Sequence, residues 1–365
     1  MPERILVTGG AGFVGSTLAL SLKRTRVDCQ VIALDNLKRR GSELTLPRLR
    51  DGGVDFIHGD IRNPEDLDAV GPIDWLLECS AEPSVQAGYD TGARYLIQTN
   101  LVGTINCLER ARTVDAGVIF LSTSRVYPIA PLRDLPFERR GDRLVIADDA
   151  SGPGWSKHGI SLDFPMAGSR SLYGATKLCS EHLIEEYADM YGLRAIVNRC
   201  GVIAGPWQMG KVDQGFLTLW AARHFFGGDL GYKGFGGDGA QVRDVLHADD
   251  LFDLVALQLA DPTPHQGRVL AVGGGADNSV SLRELTQLCE EATGRTLDLG
   301  SDPTTHPSDI PYYVTDNRRA IAETGWAPKR SIGELLTDVF QWLSDHREAL
   351  APLLSGIASQ GSDRP

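Results

Sequence analysis

Long apolar segments are absent from this chain of 365 residues. A membrane-spanning helix needs about 20 consecutive apolar residues, and no run in the sequence approaches that length. The first residues, MPERILVTGG, enter a strand pattern directly, without the apolar stretch of a secretion signal. We therefore expect a cytoplasmic protein with no membrane partner.

Paired cysteines and an excess of positive charge are also missing. The six cysteines are scattered without a CxxC pair, which predicts free thiols in a reducing compartment and neither a disulfide framework nor a metal site. Acidic residues outnumber basic ones by 48 to 36, which gives a formal net charge of −12. This charge disfavours nucleic acid as a partner, and an anionic substrate would need a local cluster of cations.

What the chain does contain is a regular alternation of strand and helix patterns over its first two hundred residues. This alternation predicts an α/β fold, a doubly wound parallel sheet of the Rossmann type with helices on both faces. The predicted strands are Arg4–Thr8, Cys29–Leu34, Asp55–His58, Trp75–Cys79, Val118–Ser122 and Ala195–Cys200, and the predicted helices between them are Phe13–Thr25, Pro64–Val70, Tyr95–Arg112 and Tyr173–Met190.

A glycine-rich loop follows the first strand and runs straight into a helix pattern. Its glycines, Gly9, Gly12 and Gly15, have the spacing GxxGxxG. The first allows a tight turn, the second lets a pyrophosphate approach the backbone, and the third lets the helix pack on the strand. Asp35 stands 20 residues after Gly15, at the end of the second strand, where a carboxylate accepts hydrogen bonds from ribose hydroxyls. The pattern predicts a dinucleotide cofactor.

The identity of that dinucleotide depends on charge. The carboxylate of Asp35 would repel a 2′-phosphate, which favours NAD over NADP. Lys38, Arg39 and Arg40 follow closely and keep NADP open as the alternative. Asp60 follows the third strand, where its carboxylate could reach adenine.

A tyrosine and a lysine open a later helix. Tyr173 and Lys177, in the stretch YGATK, stand four residues apart, so their side chains lie on one helix face. A phenol with an ordinary pKa of about 10 is a poor base at neutral pH. A neighbouring ammonium, with a positive nicotinamide ring beside it, should lower that pKa and favour the phenolate. The pair predicts a general base next to the cofactor.

These motifs together resemble the extended short-chain dehydrogenase/reductase family that acts on nucleotide sugars. The resemblance rests on the glycine loop, Asp35, Asn100 in NLVGT, Thr123 and YGATK. It implies that Thr123 binds a sugar hydroxyl, that Tyr173 is the base, and that Lys177 tunes Tyr173 and binds ribose. It also implies a homodimer formed through the predicted helices Tyr95–Arg112 and Tyr173–Met190. The predicted catalytic residues are Thr123, Tyr173 and Lys177, and the predicted cofactor-binding residues are Gly9, Gly12, Phe13, Val14, Gly15, Asp35, Asn36, Asp60, Ile61, Ala81, Asn100, Tyr173 and Lys177.

The residues after Thr123 separate the reactions of this family. The 4,6-dehydratases resemble STDEVYG and the glucuronate decarboxylases STSEVYG, whereas this chain reads STSRVYP. Elimination of water needs a further proton donor and acceptor, and an arginine at position 125 serves as neither. The sequence therefore disfavours a dehydratase and favours epimerisation, in which oxidation is followed by reduction.

A basic residue at this position resembles one group in the family, the CDP-tyvelose (CDP-paratose) 2-epimerases, in which the triplet is Thr-Asn-Lys. The stretches DQG at 213–215, LDF at 162–164 and QVRDVLH at 241–247 also match that group. Pro128, His306 and the long insertion Ile129–Ala150 depart from it. The resemblance implies NAD-dependent inversion at C2 of a CDP-hexose. The predicted substrate-binding residues are Ser124, Arg125, Gln214, Arg243 and Asp309. Among them, Arg243 would bind the diphosphate.

Three alternatives stay open. An epimerase acting at C4 and a sugar dehydrogenase or decarboxylase would use the same cofactor and the same base. A non-catalytic nucleotide-binding protein is disfavoured because Thr123, Tyr173 and Lys177 are all intact.

The chain is expected to divide into two parts with a short tail. Residues 1–204 would form the NAD-binding Rossmann domain, with residues 240–274 returning to it. Residues 205–350 would form a smaller C-terminal substrate-binding lobe, and residues 351–365 a disordered tail. In this second half the predicted elements are a helix at Ala248–Leu259, a strand at Arg268–Val272, a helix at Ser281–Thr293 with a capping box from Ser281 to Glu284, and a helix at Ile332–Leu350.

Overall fold

A computed structural model describes residues 2–89, 92–211 and 214–355 of the chain. Its strands are β1 Arg4–Thr8, β2 Gln30–Asp35, β3 Asp55–His58, β4 Trp75–Glu78, β5 Gly117–Thr123, β6 Phe137–Arg140, β7 Arg143–Ile146, β8 Trp155–Ser156, β9 Gly159–Ile160, β10 Ala195–Cys200, β11 Val202–Ala204, β12 Leu230–Lys233, β13 Val242–His247, β14 Arg268–Val272, β15 Ser279–Ser281, β16 Leu299–Asp302 and β17 Tyr312–Tyr313. Its α-helices are α1 Phe13–Thr25, α2 Leu46–Asp51, α3 Pro64–Asp68, α4 Arg94–Ile97, α5 Gly103–Val114, α6 Ile129–Arg133, α7 Leu172–Tyr191, α8 Phe216–Phe226, α9 Ala248–Ala260, α10 Leu282–Thr293, α11 Arg318–Thr324, α12 Ile332–Asp345 and α13 Arg347–Leu354.

The main sheet of the described residues has seven strands in the order β14-β10-β5-β4-β1-β2-β3. All neighbouring pairs are parallel. The strand order reverses between β1 and β4, and ligands of such sheets bind in the crevice at the carboxyl ends of the strands there. The predicted doubly wound Rossmann sheet is confirmed.

Helices cover both faces of this sheet. On one face, α1 and α9 bury leucines that include Leu18, Leu22 and Leu254. On the other face, α3, α5 and α7 bury side chains that include Leu108 and Ile184. Central strands such as β5 are buried along their whole length, which explains why they read as continuous apolar runs in the sequence.

A second, smaller layer carries the C-terminal part of the chain. Strand β13 pairs with β11, β15 and β17 rather than with the main sheet. The chain returns to the main sheet with α9, which packs on α1, and with β14. Helices α8, α10, α12 and α13 share a separate apolar core. Ser281 and Glu284 form the predicted capping box at the start of α10.

Two stretches that were each predicted as one helix are divided in the structure. The stretch Tyr95–Arg112 is interrupted by a π-helical turn, Gln98–Val102, because the buried side chain of Asn100 bonds the backbone of a neighbouring loop. The stretch Ile332–Leu350 breaks at His346, whose ring packs edge-on against Trp207 at 4.7 Å.

The predicted tail also begins too early. Residues 351–354 belong to α13, and Leu354 is buried in the core of the C-terminal helices. The apolar contact orders this segment despite Pro352 within the helix. The rest of the predicted tail, residues 356–365, lies outside the described residues. Within the described ranges no helix is long and apolar enough to cross a membrane.

Candidate active site

The glycine loop lies at the switch point of the sheet and leads into α1. A β-carbon on Gly15 would lie 2.2 Å from the carbonyl oxygen of Gly9, so only glycine lets α1 pack this closely against the loop. Gly12 begins the helix in an extended conformation and offers no side-chain cap. The N–H groups at the first turn, which includes Phe13 and Val14, are therefore available to a phosphate. This cradle fits the pyrophosphate of a dinucleotide.

Asp35 lies directly beside that loop. Its carboxylate accepts hydrogen bonds from the N–H of Ala11, at 3.1 Å, and from the N–H of Leu37, at 2.7 Å. Burial raises the pKa of Asp35 above its usual value, against the opposing effect of these two N–H groups. The sequence prediction thus placed an acidic group next to the phosphate cradle, as ribose recognition requires.

Asp60, at the carboxyl end of β3, is tied to its neighbours. Its carboxylate accepts from Nη2 of Arg62 at 2.6 Å and from the amide of Asn36 at 2.8 Å. Burial opposes the ionised form, but these hydrogen bonds prevail and lower the pKa of Asp60 to about 2. Ile61 is buried and fits against Gly103 of α5. Asn36 and Asp60 therefore form one fixed edge of the predicted adenosine site.

Asn100 acts on the loop that follows β4. Its side-chain oxygen accepts from the N–H of Glu82 at 2.7 Å, and its amide donates to the carbonyl of Glu82 at 3.0 Å. Ala81 precedes this anchored residue. Through these two bonds Asn100, in the π-helical turn, fixes the loop that carries Ala81.

Thr123 and Tyr173 meet where β5 ends and α7 begins. A β-carbon on Gly174 would lie 2.0 Å from the carbonyl oxygen of Arg125, so glycine lets the first turn of α7 approach the end of β5. The hydroxyl of Thr123 accepts from the N–H of Arg125 at 3.2 Å and is hydrogen-bonded to Tyr173. Ser171 caps the helix by accepting from the N–H of Gly174. These contacts bring the predicted hydroxyl and phenol together.

The predicted lowering of the Tyr173 pKa concerns the phenol beside the nicotinamide ring, whereas the protein chain by itself shifts this pKa upward. Burial raises this pKa to about 12, and it outweighs the hydrogen bond with Thr123 and the positive charge of Arg125. Lys177 is buried and donates from Nζ to the carbonyl of Leu121 at 2.9 Å. Burial lowers the pKa of Lys177, while Glu78 opposes that shift. The phenol alone is therefore protonated at neutral pH.

Arg125 faces the site rather than the outer surface. It belongs to the short turn Ser124–Val126, in which Ser124 is buried. Burial lowers the pKa of the Arg125 guanidinium, and the charges of Asp309 and Tyr173 oppose this shift. Its Nη1 donates to the carbonyl of Ser308 at 3.3 Å. The surroundings of Arg125 thus contain both the candidate base and the predicted substrate-binding acid.

Arg243 and Asp309 form an ion pair on the other side of this region. Nη2 of Arg243 lies 3.1 Å from Oδ1 of Asp309. Burial lowers the pKa of Arg243 to about 10; Asp309 opposes the shift and Arg125 adds to it. The two guanidinium groups are therefore close enough to repel each other, which makes this place suitable for an anion.

The side chain of Gln214 is bound by Arg39, which lies in the loop after β2. Its side-chain oxygen accepts from Nη1 of Arg39 at 2.5 Å, and Nη2 of Arg39 donates to the carbonyl of Met209 at 2.6 Å. Arg39 therefore joins the loop after β2 to the loop before α8. Asp213, which precedes Gln214, lies outside the described residues.

Sequence reasoning missed a buried ion pair beneath the candidate catalytic residues. Nη2 of Arg199 lies 2.6 Å from Oε2 of Glu181, and Nη1 of Arg199 donates to the hydroxyl of Tyr127 at 3.1 Å. The hydroxyl of Ser122, next to Thr123 in β5, donates to Glu181. One signal was available, because Glu181 lies four residues after Lys177 on the same helix face.

The sheet, the phosphate cradle with Asp35 and the Tyr–Lys pair define the class of Rossmann enzymes that use a nicotinamide dinucleotide. The chain belongs to the NAD dependent epimerase/dehydratase family, whose model matches residues 5–273. It is thus an NAD-dependent enzyme of the kind that acts on nucleotide sugars.

Individual relatives span nearly the whole chain. The CDP-paratose 2-epimerase of Salmonella typhi is 30% identical over 349 residues, which cover 93% of this chain and 99% of the relative. The dTDP-glucose 4,6-dehydratase of Mycobacterium tuberculosis (strain ATCC 25618 / H37Rv) is 28% identical over 369 residues, with 99% of both chains covered. A solved double mutant of the dTDP-glucose 4,6-dehydratase from Streptomyces venezuelae, with NAD bound, is 28% identical with a TM-score of 0.76, covering 96% of this chain and 100% of that chain.

Proposed function

We propose that the protein inverts C2 of a CDP-hexose. The observation that carries this proposal is the placement of Arg125, a cation, beside Thr123 and Tyr173, where dehydration would require acid/base groups. The likeness to a CDP-paratose 2-epimerase over 93% of the chain supports both the carbon and the nucleotide.

The protein's own residues would handle protons and orientation. Thr123 would hold the sugar hydroxyl in line with Tyr173, whose phenolate would take the hydroxyl proton and later return it. Bound NAD would supply a reversible acceptor for the hydride from the same carbon. Much of the remaining rate enhancement would come from positioning the sugar so that hydride can reach either face of its carbon.

The phenol needs help to act as a base. Its pKa of about 12 in the protein chain would have to fall, and the positive nicotinamide ring, together with the Lys177 ammonium, would favour the phenolate. Arg125 acts in the same direction because its charge already opposes the upward shift. We propose that these cations together set the protonation state of Tyr173.

Elimination of water would need an acid/base pair at the place that Ser124 and Arg125 occupy. Glu82 is a carboxylate close enough to raise the pKa of Tyr173, and its Oε1 accepts from the N–H of Ser84 at 3.2 Å. The arginine at position 125 can neither donate a proton nor accept one at neutral pH. The site therefore favours epimerisation over the dehydratase reaction of its other relatives.

The binding site for the diphosphate would be formed by Arg243, with the sugar between Arg125 and Tyr173. Arg243 is partly neutralised by Asp309, and the nearby Arg125 leaves an excess of positive charge in an otherwise acidic protein. Such a local excess is what binding of a nucleoside diphosphate requires. Ser124 and Gln214 would complete the sugar site.

We also propose a cytoplasmic homodimer. The six cysteines are free thiols in the structure, and a reducing compartment would keep them so. Apolar side chains are exposed on α4 and α7, namely Ile97, Leu172, Met190 and Tyr191, and a second copy of the chain would cover them. Light scattering of the purified protein tests the dimer, and a monomer at working concentration would refute it.

The reaction is tested by incubating the protein with CDP-, UDP- and GDP-hexoses and identifying the products by NMR. We expect a C2 epimer from a CDP-hexose, without net formation of NADH. The Tyr173→Phe variant serves as the control for contaminating activity. Inversion at C4, formation of a 4-keto-6-deoxy sugar or turnover of none of these substrates would refute the proposal.

A further inference from the structure

The turn His306–Asp309 and the following Ile310 are held by arginine side chains along their whole length. Each of these five successive backbone carbonyls accepts a hydrogen bond from a guanidinium group. Arg133 donates to His306, Pro307 and Asp309 at 2.9, 3.1 and 2.8 Å, Arg125 donates to Ser308 at 3.3 Å, and Arg243 donates to Ile310 at 2.6 Å.

Arg133 contributes three of these five contacts. It lies at the end of α6, inside the insertion Ile129–Ala150, so it comes from a different segment than Arg125 and Arg243. Its Nε and Nη2 diverge toward the two ends of the turn. A planar guanidinium suits such a fixed arrangement of acceptors, because its donors have a rigid geometry.

The turn that Arg133 holds carries groups that act on the candidate substrate site. The carboxylate of Asp309 pairs with Arg243 at 3.1 Å, and the carbonyl of Ser308 accepts from Arg125. Two partly buried cations near each other are costly unless they are paired and hydrogen-bonded. The position of the turn therefore determines how both guanidinium groups are oriented.

We propose that Arg133 is a positioning residue for the substrate diphosphate. It fixes the turn His306–Asp309, and the turn in turn holds Arg125 and Arg243 in the orientation that receives the nucleotide sugar. Arg133 does not touch the substrate. The inference rests on the proposed function, since it takes Arg243 as the diphosphate ligand.

The first test measures binding of CDP, with UDP as a second probe, to the NAD-loaded protein by titration calorimetry. We expect Arg133→Ala to weaken binding about 10-fold or more, as loss of hydrogen bonds from a charged group would do. Arg133→Lys should recover part of the affinity, and the NAD content should not change. With a nucleotide-sugar substrate, KM should rise while kcat stays nearly constant.

Arg140→Ala is the matched control. Arg140 lies in the same insertion, but in the part of the chain that the structure describes its guanidinium pairs with the exposed acids Glu138 and Asp148, and the variant should bind CDP normally. An equal loss of affinity in Arg140→Ala and Arg133→Ala would overturn the proposal, because it would trace the effect to the insertion as a whole.

A double-mutant cycle with Arg243→Ala separates a positioning role from general destabilisation. If Arg133 acts by orienting Arg243 through the turn, Arg133→Ala should change CDP affinity much less in the Arg243→Ala background than in the native one. Independent, multiplying effects would refute the proposal. Because CDP binding is measured without turnover, a protein that binds CDP but epimerises no CDP-hexose would refute the proposed function while this test still stands.

Discussion

The backbone N–H of Ala11, in the glycine loop, donates a hydrogen bond of 3.1 Å to the carboxylate of Asp35 at the end of β2. This contact joins the phosphate cradle to the acidic group that would bind ribose. The two parts of the predicted cofactor site are therefore one rigid unit, formed by neighbouring strands of the sheet.

Replacement of Asp35 by alanine should weaken retention of NAD. The variant loses the carboxylate that would accept from the ribose hydroxyls, and loss of a charged hydrogen-bond acceptor corresponds to about a 10-fold loss of affinity or more. The measurement is the NAD content of the purified protein after gel filtration. Asp28→Ala, an exposed position just before β2, is the control. Equal NAD content in Asp35→Ala and native protein would contradict the assigned role.

Replacement of Tyr173 by phenylalanine should stop catalysis without releasing the cofactor. The variant keeps the ring but loses the hydroxyl that moves the proton, so turnover should fall by about 10²-fold or more. Steady-state kinetics with the NMR-identified substrate measure this. Tyr232→Phe, in β12, where the hydroxyl bonds Thr286 at 2.9 Å, should remain active. Retained activity in Tyr173→Phe would mean that another group is the base.

Replacement of Arg125 by glutamate tests the meaning of the triplet Thr-Ser-Arg. The variant introduces an acid where the dehydratase-like sequences have one, but it removes a cation next to Tyr173. We expect impaired epimerisation and no efficient dehydratase, because a single carboxylate does not supply the whole acid/base pair. Product analysis by NMR measures both activities. Epimerisation at the native rate would show that Arg125 takes no part in the reaction.

Asp244 should make stability depend on pH. This carboxyl group is fully buried in β13, and burial raises its pKa to about 6. The folded state therefore binds a proton more tightly than the unfolded chain, in which the pKa is about 3.9. The stability that this group contributes is present below about pH 4 and is lost as the pH rises through about 6.

The comparison with Asp244→Asn isolates this effect. The variant carries a neutral side chain of similar shape, so its free energy of unfolding should lack the decline that the native protein shows between about pH 4 and about pH 6. Urea unfolding across this pH range measures the difference. A difference between the two proteins that does not change with pH would show that Asp244 is not the titrating group.

Much of the Rossmann half follows from local sequence patterns. The bounds of β1, β10, β14 and α1 agree with the prediction, because largely buried parallel strands read as short apolar runs and the glycine loop marks where α1 starts. The bounds of β3, an edge strand that is not buried, agree as well. The placement of Thr123 near Tyr173 also follows, since β5 and the start of α7 meet at the same edge of the sheet.

The features of the structure that the sequence did not predict depend on contacts between distant segments. The π-helical turn at Asn100 results from a bond to Glu82, 18 residues earlier, and no local signal marks it. Arg133 meets the turn His306–Asp309 across more than 170 positions of sequence. The pKa of Tyr173 depends on how deeply the phenol is buried, and the i,i+4 spacing to Lys177 does not reveal this.

The central claim is that hydride leaves and returns to one sugar carbon, and an isotope experiment tests it most directly. A CDP-hexose carrying deuterium at C2 would be incubated with the NAD-loaded protein in ordinary water, and the product examined by NMR. Hydride held by the bound cofactor does not exchange with solvent, so the account predicts that the C2 epimer retains its deuterium at C2 and that no NADH accumulates. Loss of the deuterium to solvent would contradict the account, because it would indicate enolisation without hydride transfer.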